Sequence, residues 1–236
     1  MMKRHTKAAM AFHWFNAACW LFLLPTGFGL IENEALSLTG GAWSHWMRTL
    51  FGSAETLLSA HIIVGAIWAA VCFLYGLAGF KIALLPFVKE ILSFSPARDL
   101  TWLVKKGVRM TLGSNVLRKK GIDPALPDQG FYNVGQKLFA VPSLFGGILI
   151  GITGIVLALS NIWFTETGVV QWAILLHFVC VGLVFAGLLI HIYMAAIAPG
   201  ERPAFISMFT GTVPEDYAEH HHRLWYRERS GKLGPR

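Results

Sequence analysis

Four long apolar segments limit what this chain can fold into. They cover residues 8–31, 55–80, 138–159 and 169–198 of a 236-residue chain that is 55% hydrophobic and only 14% charged. A helix of about 20 residues crosses a hydrocarbon layer of about 30 Å, and each segment is that long. Lipid offers no partner for open backbone N–H and C=O groups, so each segment is expected to be helical. The sequence predicts an all-α membrane protein, a four-transmembrane-helix bundle in one integral-membrane domain over residues 1–236.

The basic residues lie on one side of these segments. Nineteen of the twenty Lys and Arg residues precede the first segment, separate the second from the third, or follow the fourth, and the exception is Arg48. The positive-inside rule therefore predicts that both termini, the loop over 81–137 and the tail over 199–236 are cytoplasmic. This distribution accounts for the net charge of +7 without nucleic acid. The start MMKRHTKAAMAFHWF resembles a signal peptide but lacks a clear cleavage site, so an uncleaved first span is expected.

Three cysteines, Cys19, Cys72 and Cys180, stand alone within the apolar segments. The sequence has no CxxC pair and no four-cysteine set, so an iron–sulfur cluster or structural zinc held by this chain is not expected. We interpret all three as small apolar packing residues.

Four of the nine histidines lie inside apolar segments. His177 and His191 are fourteen residues apart in the fourth segment, which is about 21 Å along a helix and about 40° short of four full turns. Both therefore point toward nearly the same side, one near each membrane surface. By depth, His61 matches His177 near the outer surface, and His13 matches His191 near the cytoplasmic surface.

Two histidine pairs at two depths in a four-helix bundle predict two stacked haem b groups. A porphyrin iron with an imidazole on each face has no open position, which suits electron transfer. Bundle interiors hold cofactors in this way, and a neutral ligating imidazole avoids a bare charge in lipid. Metal sites without porphyrin and a histidine proton relay are the competing uses. Glycines near these levels fit haem clearance or plain helix packing equally well, namely Gly27, Gly65, Gly182 and Gly187.

The stretch FYNVGQK, residues 131–137, precedes the third apolar segment at the depth of the cytoplasmic histidine pair. Asn133 and Gln136 offer amide donors, and Gly135 permits close backbone approach. These groups fit a quinone, whose carbonyls need hydrogen-bond donors, but a loop with a helix N-cap has the same composition. Upstream, residues 99–113 predict an amphipathic helix at the cytoplasmic membrane surface.

Several stretches together resemble the cytochrome b (gamma) subunit of membrane-bound respiratory formate dehydrogenase. They are FHW around His13, the second-segment His61 followed by Gly65, YNVGQK, LLH with LIHIYMA around His177 and His191, and HHHRLWYRE at 220–228. The similarity extends over nearly the whole chain. It implies an outer haem on His61 and His177, an inner haem on His13 and His191, and a menaquinone or ubiquinone site at Asn133, Gly135 and Gln136.

The resemblance also implies partners and a direction of electron flow. The partners would be an iron–sulfur (beta) subunit and a molybdenum- or tungsten-pterin catalytic (alpha) subunit on the outer side, assembled as a trimer of heterotrimers. The chain would lie in the bacterial inner (cytoplasmic) membrane, in contact with lipid. It would pass electrons from the periplasmic iron–sulfur subunit through two haems to a quinone at the cytoplasmic side, with no chemistry on formate itself.

Other classes stay open at this point. The cytochrome b subunit of a nickel–iron hydrogenase, or of a thiosulfate- or polysulfide-type reductase, keeps the haems and changes the partner. A haem-free anchor or transporter would use its histidines for ions or protons. His220, His221 and His222 also suggest a metal site, although we expect a tail that packs against the cytoplasmic face or a partner.

Overall fold

The structure, a computed structural model, describes residues 1–33, 36–37, 40–164 and 166–231. Within these ranges the helices are α1 Lys7–Leu30, α2 Gly41–Phe51, α3 Ala54–Ala78, α4 Leu85–Leu92, α5 Pro96–Thr111, α6 Ser114–Lys119, α7 Val134–Ala158, α8 Thr167–Ile192, α9 Arg202–Thr210, α10 Glu215–His221 and α11 Arg223–Arg229. Two short strands, β1 Met2–Lys3 and β2 Thr212–Val213, and two π-helical turns, Phe80–Leu84 and Tyr193–Ile197, complete the order. Lys232 and Arg236, two of the basic residues counted in the tail, lie outside the described residues.

Among the described residues, four helices are long and apolar enough to cross a membrane, in agreement with the four predicted spans. They are α1, α3, α7 and the continuous run Thr167–Ile197, which consists of α8 and the second π-helical turn. The third begins at Val134, four residues earlier than the apolar pattern indicated, because polar residues form its first turn. Helix α2 was not foreseen, since the outer loop was interpreted from its Gly, Ser and Trp content alone.

These four helices carry their apolar side chains on the outside. At most 17% of the most apolar stretch of any of them is buried within the protein. Leu21, Phe73 and Leu183 are among the large side chains left more than half exposed. Water would penalise this much apolar surface, and a soluble monomer rarely shows it. A lipid layer is the environment that covers it.

The described residues fall into two compact units. One contains both ends of the chain and is called the terminal unit here: Met1–His5, Lys81–Phe145 and the described part of Val184–Arg236. The other, called the span unit, comprises Thr6–Phe80 and the described part of Gly146–Leu183. Helices α7 and α8 each contribute residues to both units.

In the span unit, α1 and α3 pack along each other through aromatic and polar contacts. Thr6 begins α1 by accepting a hydrogen bond from the Ala9 N–H at 3.1 Å, as an N-cap side chain does. Phe12 stacks on Tyr75 with ring centroids 4.0 Å apart. The Trp68 indole donates to the Asn16 side-chain oxygen at 2.7 Å, so each of these buried or half-buried polar groups has a partner.

In the terminal unit, the chain ends meet. Strand β1 pairs antiparallel with β2, Met2 opposite Val213. Beneath this pair lies a small core of Val213, Tyr217, Ala218 and Trp225. The tail is therefore folded onto the N-terminus as part of this unit.

Helix α5 confirms the amphipathic helix predicted over residues 99–113. Its apolar face leaves Leu100 and Val104 at 53% and 64% exposure. At its start the buried Asp99 carboxylate accepts the Ser95 N–H at 2.7 Å and the Arg98 guanidinium at 2.9 Å. Burial alone would raise the pKa of Asp99, but these two hydrogen bonds hold it below its usual value.

Candidate functional site

His61 lies on the second turn of α3 and faces α1. Its Nδ1 is 2.9 Å from the Thr26 Oγ1. The Thr26 hydroxyl also reaches the Phe22 carbonyl of its own helix at 2.8 Å, and the threonine is 1% exposed. The two helices thus place one half-buried imidazole against one buried hydroxyl.

His177 in α8 repeats this arrangement against α7. Its Nδ1 is 3.0 Å from the Thr153 Oγ1. Thr153 is 5% exposed and its hydroxyl reaches the Leu149 carbonyl at 2.6 Å. All four of these helical residues and their carbonyl partners belong to the span unit.

His61 and His177 lie in the same unit, and their pairing by depth stays a prediction. The two imidazoles lie within electrostatic range of each other. A glycine follows each threonine and faces the edge of the ring. A methyl group at Gly27 would stand 3.2 Å from the His61 Cε1, and one at Gly154 would stand 3.5 Å from the His177 Cε1.

The other glycines named from the sequence have different surroundings. A methyl at Gly187 would meet the Phe139 ring at 2.8 Å, so this glycine permits close helix packing. At Gly65 the nearest atom would be 3.9 Å away, on Leu23, and at Gly182 nothing lies within 4 Å. Of this set, Gly27 is the one whose missing side chain makes room for a predicted ligand.

His13 and His191 belong to different units and are described within each. In the span unit, the half-buried His13 ring meets Trp14 edge to face, with centroids 5.1 Å apart. In the terminal unit, the His191 ring stacks on Phe139 at 4.6 Å with an interplanar angle of 15°. Phe139 is the ring that Gly187 accommodates, so this glycine, one turn before His191, helps to fix the plane of the His191 ring.

Asn133 and Gln136 form a reciprocal capping pair at the start of α7. The Asn133 Oδ1 accepts the Gln136 N–H at 2.9 Å, and the Gln136 Oε1 accepts the Asn133 N–H at 3.0 Å. The N-cap interpretation of this stretch is confirmed. Because both amide oxygens face backbone N–H groups, the two NH₂ groups are left pointing elsewhere as donors. A methyl on Gly135 would stand 3.3 Å from the Asn133 Oδ1, so the glycine gives the capping amide room.

Three consecutive carbonyl groups just before this cap are bound by the two ends of the chain. The Leu224 N–H donates to the Gln129 oxygen at 3.0 Å. The His222 Nδ1 lies 2.9 Å from the Gly130 oxygen, and an Arg4 Nη donates to the Phe131 oxygen at 2.8 Å. We call these three contacts the carbonyl clamp. They fix the backbone of residues 129–131, where the FYNVGQK stretch begins.

Charged and titratable side chains around the clamp are buried. Arg4, 8% exposed, lies over the Phe131 and Trp225 rings, and burial lowers its pKa. Burial, followed by the charge of Arg4, lowers the pKa of His222 to about 3, so this imidazole is neutral. Tyr217 donates to the buried Glu201 carboxylate at 2.9 Å, and burial followed by that carboxylate raises the tyrosine pKa.

The three consecutive histidines of the tail have three different partners. His220 faces the Asp216 carbonyl at 2.7 Å, and His221 approaches the Glu201 carboxylate at 3.7 Å. His222 belongs to the clamp. Across the part of the chain that the structure describes, no group of three or more His, Cys, Asp or Glu side chains could hold a metal ion. The contact of His222 with Gly130 and the core around Trp225 pack the tail within the terminal unit.

Known proteins resemble this chain over most of its length. Residues 4–211 match the family described as prokaryotic cytochrome b561. The chain belongs to this family. Membership of the cytochrome b561 family implies haem b and membrane electron transfer in a prokaryote, and the His61 and His177 pair fits that cofactor. Each Nδ1 is engaged by a threonine, so the Nε2 is the ring nitrogen that remains available to a ligand.

The relatives of this cytochrome b561 family member carry one kind of name. Formate dehydrogenase, cytochrome b556 subunit, of Haemophilus influenzae is 27% identical over 226 residues, which cover 95% of this chain and 82% of the relative. The nitrate-inducible formate dehydrogenase cytochrome b556(Fdn) subunit of Escherichia coli K12 is 25% identical, covering 92% and 87%. The cytochrome b556(fdo) subunit of the same organism is 23% identical, covering 95% and 92%. These names confirm the resemblance stated from the sequence.

Sequence reasoning missed the threonines and the clamp. Thr26 and Thr153 were hidden because threonine is ordinary in apolar helices. The available signal was the Thr-Gly dipeptide, which occurs once in the first apolar segment and once in the third. Arg4 and His222 carried no such signal, because 218 residues separate them along the chain.

Proposed function

We propose that this chain is the two-haem cytochrome b subunit of a formate dehydrogenase-type complex. It would pass electrons from an iron–sulfur subunit on the outer side, through two haem b groups, to a quinone at the cytoplasmic side. The observation that supports the proposal most is the repeated contact of a histidine with a threonine, His61 with Thr26 and His177 with Thr153, which would orient both imidazoles for one cofactor. The names of the relatives support the formate dehydrogenase context.

Each predicted residue has a place in this proposal. When bound, haem b supplies a one-electron carrier. His61 and His177 would hold the iron of the outer haem, which would serve in electron transfer. His13 and His191 would do the same for the inner haem, a pairing that rests on their predicted depths and on the resemblance.

The FYNVGQK stretch would hold the quinone. The amide oxygens of Asn133 and Gln136 are used in the cap, so their NH₂ groups would be the donors for the quinone carbonyls. Gly135 is exposed and offers its backbone to a ligand. Protons taken up there would come from the cytoplasm, because the basic loop and tail predict that side.

The proposed orientation and assembly follow from the same reasoning. Both termini would be cytoplasmic, in a bacterial inner membrane, with residues 1–236 working as one integral-membrane domain. An iron–sulfur (beta) subunit and a molybdenum- or tungsten-pterin catalytic (alpha) subunit would dock outside, in a trimer of heterotrimers. The chain itself would have no catalytic residue for formate.

The test measures whether formate reduces the haems, and whether a quinone reoxidises them, in the complex purified from native membranes. Formate is added under anaerobic conditions, and the reduced-minus-oxidised spectrum is recorded before and after a soluble quinone analogue. The proposal predicts two b-type haems per chain, reduced by formate and reoxidised by the quinone. If hydrogen or a sulfur compound reduced the haems and formate did not, the partner would be a hydrogenase or a sulfur-compound oxidoreductase instead of a formate dehydrogenase. Absence of haem would overturn the proposal itself.

A further inference from the structure

The hydrogen bonds of Thr26 and Thr153 determine which ring nitrogen of His61 and His177, the predicted outer-haem ligands, carries the proton. A hydroxyl has one proton to donate and two lone pairs to accept with. The Thr26 oxygen lies 2.8 Å from the Phe22 carbonyl and 2.9 Å from the His61 Nδ1. A carbonyl oxygen can only accept, so the hydroxyl proton goes to it. The contact with the imidazole must then be an N–H donated by the Nδ1.

Thr153 gives the same result independently. Its oxygen lies 2.6 Å from the Leu149 carbonyl and 3.0 Å from the His177 Nδ1. The short carbonyl contact takes the hydroxyl proton, and the oxygen accepts from the ring. Both histidines are therefore held with the proton on Nδ1 and the lone pair on Nε2. That tautomer is the one a metal ligated through Nε2 requires.

The glycines beside the threonines restrict the rings further. A methyl at Gly27 would press on the His61 Cε1 at 3.2 Å, and one at Gly154 would touch the His177 Cε1 at 3.5 Å. Cε1 lies between the two ring nitrogens, so each ring edge passes directly over a helix backbone. Hydrogen bond and glycine together fix the direction in which each Nε2 points.

We propose that Thr26 and Thr153 are positioning residues that set the tautomer, the orientation and the electron donation of the outer-haem ligands. This inference rests on the proposed function, specifically on haem bound by His61 and His177. An acceptor on Nδ1–H makes the ligating nitrogen a stronger donor. A stronger donor stabilises ferric over ferrous iron, so the two hydroxyls lower the potential of the outer haem. A lower potential there favours onward electron transfer to the next acceptor.

The experiment replaces each hydroxyl by a methyl of the same shape. Thr26→Val and Thr153→Val are compared with the wild type in the purified complex, by haem content and by potentiometric titration of the b-type bands. The outer component is identified as the one missing in His61→Ala. Thr26→Ser and Thr153→Ser keep the hydroxyl. Thr111→Val is the matched control. The Thr111 hydroxyl donates to the carbonyl four residues earlier, that of Gly107, at 2.9 Å, as Thr26 and Thr153 do in their helices. Thr111 lies in α5, outside the long apolar helices.

The valine variants are expected to shift the outer haem to higher potential and to weaken its retention about tenfold, the lower end of the usual effect of losing a ligand's hydrogen-bond partner. The serine variants and Thr111→Val should match the wild type. Wild-type potential and full haem content in both valine variants would overturn the inference and leave the proposed function intact. Serine variants that behave like the valine variants would also overturn it, since packing would then be the cause. A wild-type complex without haem would overturn both.

Discussion

At the scale of single residues, the sequence predicted the groups that chemistry makes conspicuous and missed those that support them. Histidine is costly in lipid, so His61 and His177 stood out, and the structure brings the two rings into one unit. Thr26 and Thr153 did not stand out, because a threonine can satisfy its hydroxyl on its own helix. Their role depends on which residue of a second helix faces them, and periodicity within one helix does not contain that information.

Gly27 gives a prediction at this scale. In Gly27→Ala the new methyl would stand 3.2 Å from the His61 Cε1, so the ring must move and its hydrogen bond to Thr26 must lengthen. We expect reduced retention of the outer haem, measured as haem per chain after purification. Gly107→Ala is the control, because Gly107 lies in α5 and nothing would stand within 4 Å of the new methyl. Alanine is favoured over glycine in helices by about 1 kcal/mol, so neither variant should weaken its helix. Equal haem content in the two variants would contradict the account.

At the scale of elements, the long helices were predictable and the short ones were not. Each span is specified by its own residues, since composition alone makes α1, α3, α7 and α8 apolar over a membrane thickness. The start of α7 needed the capping pair of Asn133 and Gln136, which moves the boundary to Val134. The carbonyl clamp lay beyond prediction, because it joins residue 4 to residues 129–131 and 222–224.

The cap and the proposed quinone donors can be separated by one substitution. Asn133→Asp keeps the oxygen that caps the Gln136 N–H and removes the NH₂ group, and a negative charge at a helix N-terminus is favourable. Asn133→Ala removes both and should cost about 1 kcal/mol of cap stability. We expect quinone reduction to fall in both variants, with thermal stability lowered only in Asn133→Ala and both haem spectra unchanged. If Asn133→Asp reduced quinone at the wild-type rate, Asn133 would cap α7 and would have no role in quinone binding.

The clamp should open in acid. The buried His222 has a pKa of about 3, against about 6.5 when exposed, so the released tail binds a proton that the folded tail does not. The contribution of His222 is therefore complete above about pH 6.5 and is lost as the pH falls toward about 3, by about 1.4 kcal/mol per pH unit.

Limited proteolysis of α10 and α11 between pH 7 and pH 4.5 measures this opening. The wild type should become cleavable as the pH falls. In the control variant His222→Asn, the amide can still donate to the Gly130 carbonyl but cannot gain a proton. Its rate of cleavage should therefore change less with pH than that of the wild type. All other side chains are the same in both proteins, so their contributions cancel in the comparison. Equal steepness in the two proteins would show that His222 does not cause the opening.

At the scale of the whole molecule, the apolar surface and the charge distribution describe one membrane protein with two different sides. The four long helices expose Leu21, Phe73, Leu183 and similar side chains that only lipid can cover. Nineteen of twenty basic residues lie on the predicted cytoplasmic side. The order of residues along the chain predicts both features, and the orientation stays a prediction. The assignment of each histidine pair to one haem is the central claim, and it depends on this orientation.

Potentiometric titration of four single variants in the purified complex tests that claim most directly. The account predicts that His61→Ala and His177→Ala lose the same b-type component, and that His13→Ala and His191→Ala lose the other one. Quinone reduction should fail in the second pair even where the outer component is still reduced by the donor. If His13→Ala removed the component that His61→Ala removes, or if all four variants lost the same one, the two-level assignment of the haem ligands would be wrong.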